Sequence, residues 1–274
     1  MLAEALQFAA TLALSPRTRP SVISDSVGLW ARAGRCRKAW TLHEENCKAA
    51  VNHAIDGVQH RGTAVILGSG LLRDVPIERL FSMFREVVLI DICHLASVRA
   101  WAKLRRYSNL TFRTADLSGY DKLLQQTRIS LATGEEDLGV KLDPLGFLRR
   151  IDDLSLVVSA NILSQIAVGA AARLQRPDGH ARIMPDDTLR LLVAAHLDSL
   201  AALPCKTCLL TDVSFRREDR TGNVTETVDL LHGVEPPEGD SSWDWPVAPF
   251  GEESADIQRI HHCIATEDVA VPLG

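Results

Sequence analysis

Two kinds of residue in this chain are spaced for chemistry at the ends of strands. The first is a glycine turn. An apolar run at residues 64–67 leads straight into Gly68-Ser69-Gly70, and glycines in such a turn let a ligand approach the backbone closely. The second is a pair of carboxylates, Asp91 and Asp116, each closing a run that reads as a strand, at residues 87–90 and 110–115. A glycine turn followed by an acid at the end of the next strand suits a nucleotide, because the acid can accept hydrogen bonds from ribose hydroxyls. The signal for a proton-transfer group is less specific: histidine is the side chain suited to act as a base at neutral pH, and His196, His232, His261 or His262 could serve. No spacing singles out a catalytic residue among them. Asn161 and Gln165 would share one face if a helix began at Asn161, and could then orient an acceptor; alternatively Asn161 caps that helix. Trp243 and Trp245, near Pro246, Pro249 and Gly251, offer flat faces for a substrate mouth or a plug for the end of the sheet.

The elements that position these residues follow from periodicity. Residues 1–60 read as three helices, the third introduced by Thr41-Leu-His-Glu44 as a capping box. Asp74, Pro76 and Glu78 supply a cap, a first-turn proline and a first-turn acid for a helix after the glycine turn. A helix is expected over residues 94–107. The stretch 127–153 lacks clear periodicity and reads as an insertion with one short helix near Phe147. Further strands are expected at 154–159 and 209–215. An alanine-rich helix reaching Leu174 lies between them, and another helix begins at Pro185. Residues 224–231 and 257–265 are both strand-like, with no helix between them. The spacing predicts an antiparallel pair at the sheet edge, because parallel neighbours need a crossover.

Composition narrows the class. With 274 residues, 46% hydrophobic and 24% charged, the chain can bury a sizeable core. A formal net charge of −5 gives no general attraction for nucleic acid, and Arg32, Arg35, Arg37 and Lys38 read as a solvated helix face. The six cysteines lack the spacing of a disulfide scaffold. Cys205 and Cys208 have no matching second pair, so no metal is expected and both read as small core residues. The amino-terminal residues carry an early acid and no basic leader, and no apolar run reaches membrane-spanning length. A cytoplasmic protein without membrane contact, able to form a homo-oligomer, is the expectation.

Together, residues 60–265 resemble the class I S-adenosylmethionine-dependent methyltransferases. The resemblance implies an α/β fold: a seven-stranded, mostly parallel Rossmann-like sheet with a C-terminal antiparallel hairpin. Here it would occupy residues 61–274, behind a helical extension at 1–60. It also implies S-adenosylmethionine as cofactor. Gly68, Ser69 and Gly70 would support its methionine part, Asp91 its ribose, and Ile92, Asp116 and Leu117 its adenine, with Asn161 near the transferable methyl. Gln165, Trp243, Trp245 and His261 would lie towards a small-molecule acceptor. Two positions depart from the family pattern: Ile66 stands where an acid is common, and Leu72 where a third glycine is common. Those departures keep open a non-catalytic binding or scaffold module. A nicotinamide-binding oxidoreductase is the rival enzyme, but it too wants the third glycine.

Overall fold

The computed structural model describes residues 1–133, 141–172 and 184–269. Three helices, α1 (Leu2–Leu14), α2 (Pro20–Arg35) and α3 (Arg37–Asp56), precede the first strand. Then β1 (Thr63–Leu67), α4 (Ile77–Met83), β2 (Glu86–Asp91), α5 (Ala96–Arg105) and β3 (Leu110–Thr114) alternate. They are followed by α6 (Tyr120–Thr133), a 3-10 turn at Gly146–Arg150, β4 (Leu154–Ala160), α7 (Leu163–Ala172) and α8 (Asp186–Ala201). The last four strands are β5 (Lys206–Asp219), β6 (Val224–Asp229), β7 (Ser241–Ala248) and β8 (Ile257–Thr266).

These strands form one eight-stranded sheet in the order β3-β2-β1-β4-β5-β8-β7, with β6 paired to β5 off that path. Strands β1 to β5 run parallel, and β8 is antiparallel to both its neighbours, β5 and β7. This is a mostly parallel, Rossmann-like sheet with antiparallel C-terminal strands. The pattern arises because β1 is apolar at every position and both its faces must be covered. Ala64 and Ile66 pack under α3 and α4, whereas Val65 and Leu67 pack under α7 and α8.

The first half of β5 pairs with β4 through Lys206–Leu210, and its second half pairs with β6 through Ser214–Glu218, while β8 lines its other edge. Strand β6 therefore continues the line of β4 beyond that strand's end and stands as a wall at the open end of the sheet.

Several sequence expectations need correction. The sheet has eight strands, not seven, and residues 224–231 and 257–265 do not pair with each other: both flank β5. The stretch holding Trp243 and Trp245 is an edge strand, tolerating Pro246 at a register shift between Trp245 and Ala248. Thr41 is no cap. It lies inside α3, its hydroxyl donating to the Arg37 carbonyl at 3.1 Å. Asp74 does not cap α4 either; its carboxylate turns to Asn161. Residues 120–133 form a regular helix in which Tyr120 alone is buried, which explains the weak periodicity. Leu174 lies outside the described residues. Arg35, Arg37 and Lys38 are exposed, as a solvated face requires, but Arg35 also holds Glu252 through bonds of 2.6 and 3.0 Å, and the half-buried Arg32 reaches Glu253 at 2.9 Å. This clasp ties α2 to the loop after β7.

Candidate active site

The carboxyl ends of β1, β2 and β4 meet at the point where successive connections leave the sheet in opposite directions, which in open α/β sheets is where ligands bind. The glycine turn sits there. Gly68 and Gly70 both have positive φ, +70° and +45°, so the turn needs its glycines. A side chain on Gly68 would strike Ile162 at 2.8 Å, whereas one on Gly70 would meet only the Gly68 carbonyl at 3.7 Å. Leu72, at the family's third glycine position, also has a left-handed backbone, φ 59°. The chain keeps the glycine-like path with leucine, at a cost of about 1–2 kcal/mol, and packs that side chain against the cores beneath α3 and α2.

Asp91 ends β2 and holds the turn in place. Its carboxylate accepts from the Gly70 amide at 2.7 Å and from the Cys93 amide at 3.3 Å. Burial raises its pKa, opposed by the Gly70 bond. Each oxygen keeps a lone pair for a further donor. Ile92 beside it is 37% exposed. Asp116 accepts from the Ser118 amide at 2.9 Å, and the Leu117 side chain is buried in the core beneath α7 and α8. The Ser69 hydroxyl and the Asn161 side-chain oxygen are buried without a protein partner.

Asn161 and Gln165 are not brought together. Asn161 has φ 51° and precedes α7, its side-chain amide donating to Asp74 at 2.9 Å, whereas Gln165 is exposed on α7 and donates to the Ser164 hydroxyl at 3.3 Å. Asn161 is thus not the helix cap. It joins a buried polar group on the α3 side that contains His43, Cys47 and Asp74. Their ligand atoms lie within 4.8 Å of one another, yet the hydrogen bonds do not suit a cation. The Trp243 indole N–H donates to His43 Nδ1 at 3.0 Å, so neutral His43 carries its proton on Nε2, the atom facing Asp74 at 3.8 Å. Burial pushes the Cys47 thiol well above its ordinary range, and a protonated thiol is a poor ligand.

Next to this group stands a second one. The His261 ring on β8 and the Asp212 carboxylate on β5 are 2.5 Å apart at Nδ1 and Oδ2, and the Ser164 hydroxyl donates to the other Asp212 oxygen. Burial by itself would raise the Asp212 pKa, but the bonds from His261 and Ser164 leave its carboxyl below the usual range. Trp245 joins the two groups, stacked on His43 with centroids 3.8 Å apart and edge-on to His261 at 5.8 Å.

The other histidines have different settings. His196 is fully buried against Ser159 at 3.0 Å, His232 pairs with Asp186 at 2.7 Å, and His262 lies 3.5 Å from Asp244 on the surface. Cys208 is a core residue beneath α3, and Cys205 packs against the opposite core. Asp212, Ser164 and His43 were missed by sequence reasoning. An acid inside the apolar run of β5 was the available signal, since a buried carboxylate needs a partner.

A separate cavity of about 750 Å³ lies between α1, α2, α5 and the segment after the glycine turn, with Trp30, Leu71, Leu72 and Trp101 in its walls. It reaches neither Gly70 nor Asp91, and its Arg73 is spent on the Ala33 carbonyl and Glu44.

No protein-family model and no curated protein matches the chain. Among solved structures it is similar to the N-methyltransferase NodS from Bradyrhizobium japonicum WM9 in complex with S-adenosyl-L-homocysteine. That likeness has 12% identity, covers 81% of this chain and 86% of that one, and has a TM-score of 0.34. It is also similar to the CurJ carbon methyltransferase, at 16% identity over 98% of this chain and 69% of the other, TM-score 0.37. A third similarity is to the complex of the Haloferax volcanii Trm112 methyltransferase activator with a methyltransferase described only by that activity. There identity is 14%, coverage is 66% of this chain and 56% of the other, and the TM-score is 0.30. The chain thus spans little more than half the length of that last structure. With scores of this size these likenesses carry no argument, and the fold is defined by the strand order of the chain itself.

Proposed function

We propose that this protein is an S-adenosylmethionine-dependent methyltransferase acting on a small-molecule acceptor. The observation that carries the reading is the coincidence, at the switch point of a sheet ordered β3-β2-β1-β4-β5-β8-β7, of the Gly68–Gly70 turn with the Asp91 carboxylate. The residues fit the cofactor. Asp91 has lone pairs left for the ribose hydroxyls, Ile92 offers an exposed apolar side chain to the adenine ring, and Asp116 stands at the end of the adjoining strand. The unpartnered polar atoms of Ser69 and Asn161 suit the methionine end. When bound, the cofactor supplies a methyl group on a positively charged sulfur. The chain's own task is to place a nucleophile in line with that methyl and exclude water. Gln165 is exposed on α7 and the Trp243 indole is already engaged by His43, so Trp245 and His261 are the better candidates for contact with the acceptor. The six free cysteines fit a reducing compartment such as the cytoplasm.

The test is calorimetric titration with S-adenosylmethionine. Saturable binding is expected, and Asp91→Asn should weaken it about ten- to a hundred-fold through loss of charge-assisted bonds. The asparagine oxygen still accepts from the Gly70 amide, so the thermal midpoint of that variant should change little. Failure of the wild-type protein to bind removes the cofactor from the reading; binding without turnover on any acceptor would favour the non-catalytic module.

A further inference from the structure

We propose that His261 is a general base, positioned by Asp212, for an acceptor whose nucleophile is a hydroxyl on an aromatic ring. The proposal rests on the methyl-transfer reading for its purpose, but not for its ligand chemistry.

His261 is 8% exposed, and its Nδ1 is engaged by the buried Asp212 carboxylate. With the Nδ1 proton given to Asp212, the lone pair resides on Nε2. That atom is buried and has no partner in the protein. The Ser164 hydroxyl occupies the second Asp212 oxygen, so the carboxylate cannot turn away, and an oriented carboxylate favours the imidazolium that forms on proton uptake. Ser164 lies in the first turn of α7, three residues after Asn161, whose backbone N–H continues the ladder onto the Leu210 carbonyl. The pair is thereby fixed just beyond the end of β4, at the middle of β5, where the methyl would be delivered.

A second orphan completes the pattern. The Trp245 indole N–H is also buried and unpartnered, on a ring whose centroid is 5.8 Å from that of His261. One unpaired acceptor and one unpaired donor complement a hydroxyl, which can donate to the first and accept from the second. Phe215, stacked on His261 at 5.5 Å, and Trp245 are both half-buried and give the site aromatic surfaces for a planar ring. Oxygen chemistry also calls for a base. A neutral amine can attack first and lose its proton afterwards as a stable ammonium, whereas a methylated neutral hydroxyl is a strongly acidic oxonium. The proton must therefore leave as the bond forms. In that step the acceptor oxygen bonds to the methyl carbon, the carbon–sulfur bond breaks with its electron pair going to sulfur, and the hydroxyl proton passes to His261 Nε2 and then to solvent.

The titratable and charged groups around His261 are Asp212 on β5, His43 on α3, Asp74 beyond it, and Arg259 along β8; β7 contributes the neutral indole of Trp245.

The probe is 4-nitrophenol, whose neutral and ionised forms absorb differently. In slightly acidic buffer, where the free probe is largely neutral, titration into the wild-type protein should give saturable growth of the nitrophenolate band, as the hydroxyl proton moves to His261. His261→Gln should bind about ten- to a hundred-fold more weakly, and what does bind should stay neutral. Asp212→Asn should reduce the nitrophenolate fraction. Circular dichroism checks that each variant is folded, with His261→Asn as the second substitution. No nitrophenolate band with the wild-type protein alone overturns the proposal, as does an undiminished band in a folded His261 variant. A positive result here without cofactor binding would sink the methyltransferase reading and leave the phenol site standing. Cofactor binding without the band would do the reverse.

Discussion

His196 is the histidine whose burial has the plainest consequence. Burial pushes its pKa from 6.5 down to about 4, against a smaller opposing effect of a backbone bond with Leu117. Between those values the unfolded chain holds a proton that the folded one does not. Its contribution is therefore complete above pH 6.5 and is lost as pH falls towards 4, by about 3 kcal/mol in all. His196→Gln, which can still bond Ser159, should flatten the dependence of thermal midpoint on pH across that window. An unchanged slope would assign the acid sensitivity to other groups. At this scale the sequence was legible where partners are close in the chain or fixed by strand ends, as for Gly68, Gly70 and Asp91. It misled where they are distant. Asp74 has the spacing of a helix cap, yet its side chain meets Asn161 from beyond β4. Asp212 finds His261 on a strand still further on.

Among the elements, α2 shows how an N-terminal helix is held. Ile23 and Val27 pack on Cys93, Leu95 and Val98, the residues that lead from β2 into α5, and the Arg32 and Arg35 clasp anchors the other end of the helix. Ile23→Ala should cost about 2–5 kcal/mol in urea unfolding because it opens a cavity in that layer. A loss below about 0.5 kcal/mol, the range for uninvolved surface positions, would mean that α2 is not docked there. Helix α3 is set more deeply: Trp40 donates to the Val247 carbonyl at 3.1 Å, and Cys47, Ala50, Ala54 and Ile55 line the core under the sheet. Its apolar spacing was readable, but its start was not. Thr41 and Glu44 match a capping box, yet α3 begins four residues earlier, after a break of one residue from α2 at Cys36. Strand β7 was hidden for a related reason, since proline at a bulge on an edge strand looks the same in sequence as proline in a loop.

Across the whole molecule, burial sets an order of stability. Strand β1 is buried at every position, whereas β6 is exposed at nearly all of its positions and pairs only with the outer half of β5. Hydrogen exchange should therefore be slowest in β1 and its neighbour β4 and fastest, among strands, in β6; equal protection of β6 would require contacts that the sheet does not provide. The parallel half of the sheet was legible because each strand was separated from the next by a crossover, and the antiparallel sense of β8 because no helix preceded it. The eighth strand and the place of β6 depended on which edge of β5 each would choose, and local pattern carries no information about that. Strand β8 comes after every other strand in chain order, yet it lies between β5 and β7 and brings His261 with it. During synthesis the nascent protein must therefore wait: until residue 266 has left the ribosome, the edge of β5 is unguarded, β7 has nothing to join, and Asp212 has no imidazole. The glycine turn is thus made early and the strand that carries His261 last, so that an unfinished chain, with the edge of β5 uncovered, is the form most exposed to aggregation.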